Sequence, residues 1–121
     1  MVINSNDRFE KKRVQPAMTR RIREVAHYIT RGQMNKEGLQ RPYYKKSKPC
    51  KILVKVYPPT RSKIDPPNLY PTVKALVDGM TDAGLWSDDN HEIVKQMAFQ
   101  YGGTSGRAGH YKLEIIVDDW E

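Results

Sequence analysis

Residues 65–90 read DPPNLYPTVKALVDGMTDAGLWSDDN. Leu69, Val73, Leu76, Val77, Met80 and Ala83 recur at helical spacing, which predicts an amphipathic helix from Asn68 to Gly84. Asn68 suits the N-cap, and Pro71 suits a first turn whose N–H groups lack intrahelical partners. Gly84 suits the C-terminal stop. Gly79 weakens such a helix by about 1 kcal/mol against Ala, which implies a neighbour packed closely there. Lys74 and Asp78, at i,i+4 spacing, share the polar face. Carboxylates bracket the whole element, with Asp65 before it and Asp88 and Asp89 after it.

Outward from this helix, Lys51 to Tyr57 (KILVKVY) is rich in β-branched residues and predicts a strand. Two more strands are expected, over Glu92–Tyr101 and Tyr111–Val117, joined as a long hairpin by the glycine-rich stretch 102–109. Upstream, Met18, Ile22, Val25, Ala26 and Ile29 predict an earlier helix, with Thr19 near its start and Gly32 near its end. The segment 33–49 has no clear period and is expected to be a loop. Residues 1–16 read as a flexible basic N-terminal arm. The order helix, strand, helix, strand, strand implies an α/β (α+β) class. It predicts a single domain over 1–121, with a small sheet of about three to four strands under two main helices.

The chain has 121 residues and a formal net charge of +7. Of its 21 Lys and Arg, 17 lie at or before Lys63, while 10 of the 14 Asp and Glu lie after it. This segregation makes nucleic acid the leading partner by electrostatics, with phosphate contacts from the first half. Arg41, Lys45, Lys46, Lys48, Arg61 and Lys63 are the candidate DNA-binding cations. Tyr43 and Tyr44 among them either stack on exposed bases or pack inside. The Arg20, Arg21 and Arg23 cluster either tracks phosphates or forms a solvated helical face. One cysteine, Cys50, excludes an intramolecular disulfide and a Cys-rich zinc site. His27, His91 and His110 are too scattered for a metal motif. No apolar run is long enough to span a bilayer, so no membrane partner and a cytoplasmic location are expected.

Asp65 and the Asp88-Asp89 pair sit at opposite ends of a helix about 24 Å long. They converge only if the chain after Gly84 folds back along the helix, for which the strand 92–101 offers a route. Converged carboxylates suit Mg²⁺, or Mn²⁺, held with water and substrate phosphate, with Lys74 neutralising charge on a reacting phosphate. The same residues are also ordinary turn and capping chemistry.

The run Asp65-Pro-Pro-Asn68-Leu69, then Lys74-Ala-Leu-Val-Asp78-Gly-Met-Thr-Asp-Ala-Gly84-Leu-Trp86-Ser-Asp88-Asp89, resembles the RusA family of Holliday-junction resolvases, common in phages and prophages. The resemblance implies a RusA-like fold and a homodimeric, Mg²⁺-dependent endodeoxyribonuclease that resolves four-way DNA junctions by paired nicks. It implies catalytic roles for Asp65, Lys74 and Asp89, metal ligation by Asp65, Asp88 and Asp89, and supporting positions for Asn68 and Asp78. The chain departs from the family pattern at Pro67, where many members carry a second aspartate. The alternative is a non-catalytic nucleic-acid-binding protein derived from that family.

Overall fold

The computed structural model describes the backbone of residues 2–5, 16–58, 66–106 and 111–121, and side chains over 19–58, 69–106 and 111–121. The elements follow the order β1 (Val2–Ser5), α1 (Pro16–Glu37), β2 (Cys50–Tyr57), α2 (Pro66–Asp82), β3 (Val94–Tyr101) and β4 (Lys112–Asp119). They form a four-stranded mixed sheet in the order β1-β4-β2-β3, with two helices. The α+β class and the two main helices are as expected.

β2 is the central strand, antiparallel to β4 and parallel to β3. Its alternation buries Cys50, Ile52, Val54 and Val56 on one face. Leu113, Ile115 and Val117 of β4 continue that face. The predicted stripe of α2 is buried at every position and joins these strands in one core. Burial pushes the Cys50 thiol up to about 12, as a packed, inert side chain requires.

The expected hairpin of β3 and β4 is corrected: β2 lies between them. Strand patterns identify segments, whereas pairing depends on which strand has the most apolar face to share. β2 takes the centre, and α2 supplies the crossover that a parallel β2–β3 pair requires. Of the expected arm over 1–16, the stretch 2–5 is corrected to a strand. Val2–Ser5 pairs antiparallel with β4, from Val2 opposite Ile116 to Ser5 opposite Leu113. Residues 6–15 lie outside the described residues.

Both helices differ at their ends from the expectation. α1 runs from Pro16 to Glu37 rather than stopping near Gly32. Its buried stripe is Ile22, Ala26, Thr30 and Met34, while Val25 and Ile29 face outward. Met34 carries the stripe one turn further than the apolar period alone indicated. Gly38, at φ 69°, ends the helix. Its N–H bonds Asn35 O at 3.2 Å and that of Leu39 bonds Met34 O at 2.9 Å, the paired pattern of a Schellman cap. α2 starts at Pro66, so Asn68 is helical and Pro71 lies past the first turn. Its stop is as expected. Gly84, at φ 84°, bonds Thr81 O at 3.0 Å, and Leu85 bonds Met80 O at 3.3 Å.

The helices cross at Gly79, where an added Cβ would collide with Arg23 O and lie 2.7 Å from Ala26 Cβ. The close neighbour expected there is thus α1. Next to the crossing, Arg23 of α1 donates two hydrogen bonds to the Asp82 carboxylate, at 2.6 and 2.9 Å. Arg23 is therefore tied to α2 rather than turned free to phosphates.

Candidate functional site

After Gly84 the chain turns back along α2. Trp86 anchors this return: it is buried, and its Nε1 donates to Thr81 Oγ1 at 2.6 Å, which itself donates to Val77 O at 3.0 Å. The following Ser87-Asp88-Asp89-Asn90 turn is held by its own side chains. Asp88 Oδ1 accepts from the Asp89 N–H at 2.7 Å and Asp88 Oδ2 from Asn90 Nδ2 at 3.2 Å. Asn90 Oδ1 accepts from the Glu92 N–H at 3.0 Å. β3 then starts at Val94.

This return brings Asp89 to the flank of α2. A half-open cavity of about 150 Å³ between α2 and β3 is lined by Tyr70, Val73, Lys74 and Val77 of the helix, by Asp89, and by Val94 and Met97 of the strand. Val94 and Met97 would point to opposite faces of a regular strand, because side chains alternate. One extra residue in β3 resolves this. Cys50 pairs with Val94 but Lys51 pairs with Gln96, so Lys95 is bulged and the alternation resets.

Lys74 Nζ lies 3.5 Å from Asp78 Oδ1, one turn further along α2. The Asp89 carboxyl is held above the usual carboxylate range, first by burial, then by hydrogen bonding with and repulsion from Asp88, with Asp78 adding to the push. Negative charge thus gathers around Asp89, while Lys74, in contact with Asp78, lines the same cavity.

Of the residues expected to hold a metal, Asp88 and Asp89 share one turn, and Asp89 alone of the pair lines the cavity. Asp65 lies outside the described residues, as do Arg61 and Lys63. The side chain of Asn68 also lies outside them. Among the described residues no group of three or more His, Cys, Asp or Glu is placed to hold a metal ion. The donor chemistry at Asp89 still suits a hard cation, since a charge-crowded carboxylate gains from a divalent ion. Asp88 keeps a lone pair on each oxygen beyond its turn bonds. A complete set needs a contribution from outside the described residues, where Asp65 lies.

The basic segment 41–48 is a loop, as expected, and isolated bridges pin it in place. Tyr44 forms a bridge with Trp86: its N–H donates to Leu85 O at 2.9 Å, and Ser87 N–H donates to Tyr44 O at 3.3 Å. Lys45 and Lys48 exchange backbone hydrogen bonds at 3.0 and 2.9 Å and close a tight turn. Tyr44 is buried, which decides its role as packing. Tyr43 lies edge-on to it at 4.8 Å, under Lys48 Nζ at 3.6 Å from the ring centre. Lys46 reaches Glu92 at 2.9 Å. The carbon chain of Arg41 packs against the backbone of Gly84. The bridge therefore sets basic and acidic segments, far apart in sequence, side by side.

Sequence reasoning passed over Tyr70, Val94 and Met97. Tyr70 carried a usable signal, being an aromatic residue one helical turn before Lys74 and off the buried stripe. The two strand residues carried none, because the bulge that aligns them is not visible in the alternation. No helix among the described residues is long and apolar enough to cross a membrane. No family model matches the chain, and no curated protein matches it.

Proposed function

We propose that this chain is a metal-dependent endodeoxyribonuclease that resolves four-way DNA junctions, as its resemblance to the RusA family implies. The observation that carries this reading is the shared cavity of Lys74 and Asp89, two residues assigned catalytic roles from sequence and separated there by the helix end and the turn. Supporting it are the basic segment docked beside the acidic turn and the segregation of charge along the chain.

In this reading Asp65, Asp88 and Asp89 hold Mg²⁺, with Mn²⁺ as a substitute. The ion, when bound, polarises a phosphodiester and lowers the pKa of water. The chain's own residues do the rest. Lys74 places a positive charge beside the carboxylates, where a bound phosphate gathers negative charge. Asp78 steers that ammonium along the helix through their contact. Trp86 and Asn90 hold the turn that presents Asp89. Arg41, Lys45, Lys46, Lys48, Arg61 and Lys63 follow the phosphates of the junction arms, and a homodimer sets two such sites on opposing strands.

The test is a labelled four-way junction and its matched duplex, incubated with the protein in Mg²⁺, Mn²⁺ or EDTA. Paired, metal-dependent nicks confined to the junction are expected. Asp89→Asn should slow them at least about 100-fold, since losing even the partners of metal ligands costs about 10–100-fold, while junction binding persists. Binding with no cleavage in any metal would overturn the catalytic reading and leave the non-catalytic relative.

A further inference from the structure

Resting on that reading, we propose that the cavity between α2 and β3 receives one unpaired nucleobase, stacked on Tyr70, from the DNA strand whose phosphate Lys74 contacts. The lining is the first argument. Tyr70, Val73, Val77, Val94 and Met97 form an apolar wall, and only Lys74 and Asp89 are charged. A phosphate gains nothing from valine and methionine, whereas the flat face of a base does.

Size and geometry agree with this division. A volume of about 150 Å³ matches a cavity that accommodates one benzene-sized ring, so it suits a single pyrimidine, or one ring of a purine, and excludes a base pair. Tyr70 is 58% exposed although it borders an apolar cavity, which leaves surface free to stack. Tyr70 and Lys74 are one helical turn apart, with Cβ atoms about 5–6 Å from each other, within the span from a base to its own phosphate.

The consequence is selectivity by DNA structure. In a duplex every base is paired and stacked, and extracting one costs more than stacking on a single tyrosine returns. At a branch point a base is already unpaired or easily freed. The cavity therefore favours branched DNA over duplex without any base-edge hydrogen bond.

The experiment measures affinity of the full chain for a four-way junction, its matched duplex, and junctions carrying one abasic site at successive positions near the crossover. Tyr70→Ala should weaken junction binding about tenfold or more and leave duplex binding unchanged, while Tyr70→Phe keeps wild-type affinity. One abasic position should reproduce the loss and add nothing further to Tyr70→Ala. The abasic arm needs no altered protein, so misfolding of a variant cannot mimic the result. Equal losses on junction and duplex, no loss at all, or an abasic penalty that adds fully to Tyr70→Ala overturns the base pocket. Those outcomes are separate from failure of metal-dependent cleavage, which strikes the endonuclease reading alone. A wild-type chain with no preference for junction over duplex removes the base pocket directly.

Discussion

At the scale of single residues, the Arg23–Asp82 pair shows how side chains drawn from two helices set a pH response. Arg23 donates two hydrogen bonds to Asp82, and this bonding holds the Asp82 carboxyl below its usual value of 3.8. A lowered folded-state value means that the pair stabilises the fold above the unfolded value and that this contribution is lost as pH falls through the folded one. Asp82→Asn should therefore be less stable than the wild type at neutral pH, with the gap closing as pH drops below about 3.8. Urea midpoints taken across that range check the sign. A gap that stays constant with pH would show that the carboxylate charge contributes nothing. Neither partner could be matched from sequence, because Arg23 reads there as one more cation on a basic helix. Gly79 was more legible. A glycine inside a strong helical stripe signals close approach by its own cost, though not which element approaches.

At the scale of elements, the two helix ends offer a matched comparison. Gly38 and Gly84 both sit at positive φ in the same kind of cap. An added Cβ at Gly38 meets nothing within 4 Å, whereas at Gly84 it meets the Arg41 side chain at 3.1 Å. Gly38→Ala should cost about 1–2 kcal/mol from the left-handed backbone alone. Gly84→Ala should cost the same plus the displacement of Arg41. Thermal or urea denaturation of both variants resolves the difference, and a smaller loss at Gly84 would contradict the packing. Gly84 was readable as a stop because the stripe of α2 ends beside it. Gly38 was not, since Gly32 came first and the buried Thr30 and Met34 do not advertise a continuing stripe. The false hairpin has a similar origin. Two strand patterns joined by a glycine-rich stretch look paired, and nothing local reports that a third strand lies between them.

For the whole molecule, the decisive fact is that the basic half of the chain is docked against the acidic half at the Tyr44–Trp86 bridge. The candidate cations are therefore not equivalent. Lys45 makes no ion pair among the described residues, whereas Lys46 is 2.9 Å from Glu92. Each phosphate neutralised contributes about 0.9 to the slope of log affinity against log salt. Lys45→Ala should lower that slope by about one, if Lys45 meets a phosphate as proposed, and Lys46→Ala by less, because Glu92 already offsets its charge. Salt titrations of junction binding compare them, and equal slope changes would show that the Glu92 pair opens on binding. The return of the chain after Gly84 was legible as a possibility in the sequence, through the fold-back that convergence of Asp65 with Asp88 and Asp89 required. The bulge at Lys95, the bridge at Tyr44 and the apolar wall were not, since each depends on contacts between distant segments.

The parallel pairing of β2 and β3 has a consequence for assembly. A parallel neighbour cannot be reached by a tight turn, so its loop-closure entropy is met only once α2 has formed and docked. Asp89 lies in the connection between that helix and β3, and the cavity that it lines with Lys74 gains its Val94 and Met97 wall only when β3 is in place beside β2. A fragment carrying residues 65–90 without β2 thus keeps the Trp86 anchor on α2 but lacks the strand that closes the cavity.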